Sequence, residues 1–418
     1  MKSSFVLGKK SMFNIIPKRH ISSSLPIHPY FGKVDPALAS TLILTLSNEK
    51  DVILDPFSGS GTVLHEAILS NRSAEGWDSS PLACLIAECK LLGITDNEIK
   101  EIKEFLEKLN RDFSIITDFS RYDYLIPEMR RVHDISKWFT EISLNELSFI
   151  KYHLIKYNQK NLENHPVWSF LRIAFSSIII KASNQKGESH YSSVKKNDFR
   201  GRVVSLFNDS VTSVIKCAKS FTSELGEDNL RKRIECQDNK KTIEFSNGRT
   251  ITLVNTDSRK NHNPLPSISA DLVVSSPPYL MSWDYGLYHK FRFYWLDFNL
   301  DEYEDTEIGR HLRRQNDDIE RYKLDMTDIF SRLSKSVKNS GRIALINAPS
   351  IVHGQLVHTN EILSECANEV GWKMDECVES IDIPGPHHGM YGSLEKRNVM
   401  APGKAGKKEH VLIFSKRI

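Results

Sequence analysis

The sequence predicts an α/β fold in which a mostly parallel sheet is interrupted by a long helical insertion. Three observations predict it. "DVILDPFSGSGTVLHEAILS" (51–70) reads as a short buried strand, a glycine-rich turn and a helix start, the basic unit of a parallel sheet. From about Thr95 to Arg233 the apolar residues then recur at three-to-four spacing, as in "NEIKEIKEFLEKLN", "SLNELSFIKYHLIKY", "VWSFLRIAFSSIIIKAS" and "VVSLFNDSVTSVIKCAKSF". Strand patterns finally return in "KTIEFSNGRTITLVNTD", "DLVVSSPPY", "SGRIALINAP" and "KEHVLIFSK".

The elements follow in order. Val52 to Leu54 form the first strand, Ser58 to Thr62 the turn and Val63 to Leu69 the helix. "AEGWDSSPLA" reads as a second strand ending in Asp78, after which Ser-Ser-Pro opens another helix. Asn247-Gly248 between two alternating runs marks a hairpin. The implied organisation is a basic arm over 1–24, a core over 25–95 and 234–418, and the helical insertion over 96–233, expected to take part in target recognition.

Composition narrows the class without deciding it. The 418 residues are 40% hydrophobic and 26% charged, ordinary for a globular chain, and the net charge of +3 announces no nucleic-acid partner by itself. No acid precedes Asp35, so the opening residues form either a flexible basic arm or an organelle-type transit segment. No apolar run reaches the length of a membrane span; "FLRIAFSSIII" is too short. The six cysteines (Cys84, Cys89, Cys217, Cys236, Cys366 and Cys377) show neither a C-x-x-C pair nor zinc spacing. Free thiols in a reducing compartment, with no metal and no disulfide, are expected.

The glycine-rich turn and its acid carry chemistry. Phe57-x-Gly59-x-Gly61 removes side chains at the carboxyl edge of a strand, where backbone can approach a ligand. Neither a Walker lysine nor dinucleotide spacing follows. Asp78 sits where a carboxylate accepts from ribose hydroxyls, so a nucleoside without pyrophosphate is implied, S-adenosylmethionine being the common one; alone, the same acid also reads as a cap. "SSPPY" (275–279) is either a rigid turn capping a strand or a site with fixed acceptors. "LMSWDYGLYHKFRFYWLD" reads mainly as an amphipathic helix from Tyr285 whose aromatic face is core, with Trp283 and Tyr285 as an exposed pair beside the pocket.

Together "DPFSGSGT", "SSPPY" and "HPYFGKVDPALASTLI" resemble the amino-group DNA methyltransferases, which methylate exocyclic nitrogens of cytosine or adenine. The resemblance covers residues 25 to 95 and 245 to 350. It implies a Rossmann-like sheet with an antiparallel last strand and S-adenosyl-L-methionine as methyl donor. In the cofactor site, Asp55 would meet the ammonium, Phe57 the adenine, Gly59 and Gly61 the methionine tail and Asp78 the ribose, with Thr62 a further cofactor-binding residue. Asp257 would lie near the adenine amino group, while His28 and Lys33 come from the upstream segment. Ser276, Pro277, Pro278 and Tyr279 would be catalytic. Double-stranded DNA is the implied partner and a cognate restriction endonuclease a further one, in a bacterial cytoplasm.

The expected DNA contacts are Lys186, Lys195, Lys196, Arg200 and Arg202 in the basic loop "KASNQKGESHYSSVKKNDFRGR", with Trp283 and Tyr285. The same loop reads equally as a solvated connector, and "GPHHGMYGSLEKRNVMAPGKAGKKEH" is a second candidate. Because the family tends to place Ser before Pro-Pro when the base is cytosine, Ser276 implies N4 of cytosine. N6 of adenine, an RNA amino group, or a catalytically silent nucleic-acid-binding subunit are the alternatives.

Overall fold

Strand order, rather than helix packing, positions the site. The computed structural model describes residues 6–7, 27–159, 165–188, 190–260, 269–281, 284–310, 317–381 and 409–417. Five parallel strands form the centre of the sheet: β2 (Val52–Asp55), β3 (Ser73–Asp78), β8 (Thr250–Asn255), β9 (Ala270–Ser275) and β10 (Val337–Asn347). Their order is β10-β9-β2-β3-β8. Beyond β10 lie β14 (His410–Lys416) and β13 (Trp372–Ile381), both antiparallel to their neighbours, with β1 (Val6–Leu7) on β13. Beyond β8 come β7 (Lys240–Phe245) and β6 (Arg231–Gln237), each antiparallel.

The centre of the sheet is therefore parallel and both flanks are antiparallel, the last strand β14 among them, in an α/β arrangement. Asn247-Gly248 joins β7 to β8, with Gly248 at φ +79° as the turn requires. Sheet structure resumes already at Arg231 rather than at 234, and its charged sequence "RKRIECQ" fits an edge strand.

Caps written into the sequence start the helices. Asp35 accepts from Ala37 N at 2.8 Å and Leu38 N at 3.1 Å, with Pro36 opening α1 (Pro36–Leu46). Ser80 caps α3 (Pro81–Leu91) in the same way, and Thr95 with Glu98 closes a capping box on α4 (Asp96–Ile115). α2 (Thr62–Leu69) starts at Gly61, which sits at φ +74°. The insertion continues with α5 (Glu141–Asn158), α6 (Pro166–Ala182), the small hairpin β4 (Gln185–Gly187) and β5 (His190–Ser193), and α7 (Arg202–Leu225). After β9 come α8 (Tyr285–Trp295), α9 (Leu300–Thr306) and α10 (Asp318–Ser336). The hairpin β11 (Ser350–Val352) and β12 (Gln355–Val357) and α11 (Thr359–Glu369) follow β10.

Alternation along the strands divides the core in two. Leu272, Val274, Ala344 and Ile346 face the side covered by α1 to α8. Val273, Ile343, Leu345, Leu412 and Phe414 face α10 and α11. The insertion helices share the first cluster with α1, α2 and α3, so they are packed into the same continuous core. Among the described residues the six cysteines form no disulfide. Among the described residues no helix is long and apolar enough to cross a membrane, and no metal-binding cluster is present.

Gly76, in the middle of β3, marks the tightest sheet-to-helix contact near the glycine-rich loop. A Cβ there would lie 2.6 Å from Leu64 Cδ1 and 2.7 Å from Ser58 Cβ. Gly76→Ala should therefore overpack the junction and destabilise the fold by about 1–3 kcal/mol. A denaturant midpoint equal to that of the parent would refute the close packing.

Candidate functional site

The carboxyl ends of β2, β3, β8 and β9 lie side by side, which gathers residues separated by more than two hundred positions in the chain. Asp55 ends β2 and is 2% exposed. Its Oδ1 accepts from Phe57 N at 3.1 Å and from the Ser275 hydroxyl at 2.6 Å. Burial pushes this carboxyl up to about 7, against the opposing hydrogen bonds from Ser275 and Phe57. It is thus poised to ionise when a cation arrives.

Asp78 performs a local task. Its Oδ2 accepts from Gly59 N at 2.8 Å and its Oδ1 from Ser80 N at 2.8 Å, so one carboxylate holds both the glycine loop and the start of α3. Burial raises it to about 6 in spite of those bonds. The two glycines differ in purpose. Gly59 has φ +49°, and a Cβ there would meet the Tyr30 ring at 3.4 Å, whereas a Cβ on Gly61 would strike Ala87 of α3 at 2.8 Å. Gly61 serves helix packing.

A cleft of about 270 Å³, open to solvent, is lined by Gly32, Lys33 and Val34, by Asp55, by Phe57 to Ser60, by Thr62 and Val63, and by Ser276. The segment before α1, the glycine loop and the turn after β9 therefore share one hollow. Its donor set suits a zwitterionic nucleoside: an acid to meet an ammonium, lysine and hydroxyl groups to meet a carboxylate, and an apolar ring in Phe57.

The upstream segment is fixed largely through its aromatics. Tyr30 stacks on Tyr285 with centroids 5.6 Å apart and on His289 at 5.5 Å. Tyr285 donates to the Phe31 carbonyl at 3.4 Å, and a Cβ on Gly32 would collide with its hydroxyl oxygen at 2.4 Å. Tyr285 thus packs against the upstream segment behind Gly32 and is half-buried instead of standing exposed, because the stack covers its ring. His28 is buried and bonded through Nε2 to Ser176 Oγ at 3.0 Å, which ties this segment to α6. Burial, then Arg292, pushes His28 well below its usual value, so it is neutral. Lys33 donates to the His28 carbonyl at 3.4 Å.

In the turn after β9, Ser276 reaches the cleft and lies 3.5 Å from the Tyr279 hydroxyl, at the limit of a hydrogen bond. Pro277 is buried and Pro278 partly so. The Pro278 carbonyl accepts from the Tyr322 hydroxyl of α10 at 3.0 Å, a tie that motif spacing does not reveal. Ser275, Tyr30, Tyr322 and Lys90 are the residues at this site that sequence reasoning passed over. For Ser275 a signal existed: a strand's two-residue period sends it to the face opposite Ser276.

Other expected site residues are held elsewhere. Asp257 is bound by Arg259 through Nε and Nη2, at 3.0 and 2.8 Å, and Arg259 continues to Asp325. Burial alone would raise Asp257, but these bonds outweigh it and hold the carboxyl below its usual value. Arg200 donates to the carbonyls of Phe113 and Ile116 at the end of α4. Arg202 donates to Lys181 O at 2.7 Å and Lys196 to Ile180 O at 3.0 Å, both closing the end of α6. Lys186 and Lys195 are exposed. Trp283 and nearly all of the 385–410 segment lie outside the described residues.

Residues 10–89 match the family model described as DNA methylase. The type II methyltransferase M.MvaI of Kocuria varians is 25% identical over 295 residues, covering 68% of this chain and 59% of that protein. The type II methyltransferase M.MjaII of Methanocaldococcus jannaschii is 41% identical over 85 residues, 20% of this chain and 16% of its own. The orphan methyltransferase M.BamHII of Bacillus amyloliquefaciens is also 41% identical over 85 residues, 19% of this chain and 31% of its own. The chain thus spans less than two thirds of each relative's length.

The titration of Asp55 has a measurable consequence. Its folded value near 7 lies above the unfolded 3.8, so its contribution to stability is greatest below pH 4 and is lost as pH rises through 7. Asp55→Asn keeps the Oδ1 acceptor and removes this loss. The variant should be more stable than the parent at about pH 8, by at most roughly 4 kcal/mol, as read by chemical unfolding across pH. Parallel stability curves for the two proteins would contradict the assignment.

Proposed function

We propose that this chain, which resembles DNA methylases over residues 10–89, is an amino-group DNA methyltransferase that transfers a methyl group from S-adenosylmethionine to N4 of cytosine in DNA. The single observation that carries the reading is the shared cleft: the glycine loop beside Asp55 and the turn holding Ser276 line the same hollow. When bound, S-adenosylmethionine supplies an electrophilic methyl on a sulfonium. All other chemistry belongs to the chain.

An exocyclic amine is a poor nucleophile because its lone pair is delocalised into the ring. Accepting its hydrogens bends the nitrogen toward tetrahedral geometry and frees the pair. Ser276 Oγ and the Pro277 carbonyl are the acceptors, since Pro278's carbonyl is engaged by Tyr322. The two prolines lock the turn, so the acceptors need no reorganisation. Tyr279 stacks on the base. A base paired within a duplex cannot enter the cleft, so the target is flipped out, at a cost of a few kcal/mol that stacking offsets in part. No strong general base is needed, because the amine becomes acidic on alkylation.

Ser276 accommodates cytosine in this reading. Its hydroxyl accepts from the amine or donates to the adjacent ring nitrogen, whereas an ionised carboxylate can only accept. The same hydroxyl also fits adenine, and N6-methyladenine is the second reading. For the duplex, exposed Lys186 and Lys195 on the β4–β5 hairpin and the loop after it are the phosphate contacts. Lys196, Arg200 and Arg202 support that surface through helix ends rather than by reaching outward.

Two outcomes follow. Nucleoside mass spectrometry of DNA treated with the protein and cofactor should show N4-methylcytosine, lost in Tyr279→Ala and reduced at least about tenfold in Ser276→Ala, equivalent to about 1.4 kcal/mol of barrier. N6-methyladenine as the sole product would overturn the cytosine assignment and leave the shared-cleft mechanism standing. Neutralising Lys186 and Lys195 together should also reduce the slope of log affinity against log salt by about two. An unchanged slope would remove the hairpin from the DNA surface.

A further inference from the structure

Two lysines converge on the cleft. Lys33 lines it directly. Lys90, in the last turn of α3, reaches beneath the glycine loop, with Nζ 3.4 Å from Ser60 Oγ and 3.5 Å from Thr62 Oγ1, and both of those residues line the cleft. Among the described residues neither ammonium belongs to an ion pair. Lys90 therefore stands at the start of α2, where the helix dipole is already positive. A cation in that place is opposed by the dipole.

The groups facing Lys90 come from three other elements: Lys33 from the segment before α1, Glu66 from α2 and Cys217 from α7. Glu66, whose charge favours the ammonium, is itself bonded to His65 Nδ1 at 3.1 Å. Burial first and then Lys33 lower the amine to about 7, while Glu66 and Cys217 pull the other way.

We infer that Lys90 is a positioning residue that takes up a proton when the carboxylate of an amino-acid-bearing ligand enters the cleft beside Ser60, Thr62 and Lys33. The inference rests on the reading of the cleft as an S-adenosylmethionine site. Binding raises the affinity of Lys90 for its proton, so this contribution is fully present below the free value and fades as pH rises through the bound value. Asp55 behaves oppositely, because a ligand ammonium favours its ionised form and expels its proton. The cleft thus carries a pair of titrations of opposite sign, one for each charge of the ligand.

Calorimetry of S-adenosylhomocysteine binding at about pH 7.5, in buffers of different ionisation enthalpy, counts the protons exchanged. Lys90→Arg carries a permanent charge and cannot take one up. Asp55 and the ligand's own amine contribute equally to both proteins and cancel in the difference. The wild type should take up more protons than Lys90→Arg, by up to roughly one per ligand. Lys90→Gln, should arginine not fit beneath the loop, is expected to show the same missing uptake with weakened affinity. Equal proton counts in the wild type and in the folded variant, with binding intact, would overturn this inference alone. Absence of binding to the wild type would overturn the cofactor reading and this inference with it.

Discussion

The hydrogen bond from Ser275 to Asp55, 2.6 Å long, is the constraint on which the cleft depends. It joins the ends of two adjacent parallel strands, and those strands carry the glycine loop on one side and the proline-locked turn on the other. Without it, a buried carboxyl at the end of β2 would lose its side-chain donor, at a cost of about 1–3 kcal/mol. The bond also separates the two serines of "SSPPY" by task. Ser275 is buried against Asp55, and Ser276 is left to the cleft.

A second level of support comes from the helices inserted between β3 and the β6–β8 strands. They contribute to the same apolar cluster that covers α1 to α3. Polar ties link the insertion to the rest: Ser176 of α6 bonds His28, and Glu188 at the β4–β5 hairpin accepts from buried Arg292 of α8 at 2.8 Å. The segment over the glycine loop and the hairpin bearing Lys186 are therefore anchored to one framework. This joins the surface proposed for the duplex to the cleft proposed for chemistry.

The sequence made the motif-bearing elements legible because their signals are local. A strand ending in Asp-Pro before glycines, a Ser-Pro cap on α3 and Asn-Gly between alternating runs each have short-range physical causes, and each element stands where the pattern placed it. Strands on the flanks of the sheet were less legible. β6 ("RKRIECQ") and β13 ("WKMDECVESI") carry charges through their middles, so the apolar alternation that reveals a strand is blurred. Side-chain partners were the least legible. Nothing in the spacing of Lys196, Arg200 and Arg202 distinguishes a cation aimed at phosphate from one closing the end of a helix, since the carbonyls they meet belong to helices brought near only by folding. Asp257 poses the same difficulty, as its partner Arg259 is two residues away and the second carboxylate that Arg259 pairs with, Asp325, is far along the chain.

The central claim is that one nucleoside bound over the glycine loop presents its reactive group to the turn after β9. A crystal structure of the full chain with S-adenosylhomocysteine tests it most directly. The account predicts the adenine beside Phe57, the ammonium at Asp55, the carboxylate toward Ser60, Thr62 and Lys33, and the sulfur facing Ser276. A ligand seated away from the glycine loop, or with its sulfur turned from Ser276, would contradict it.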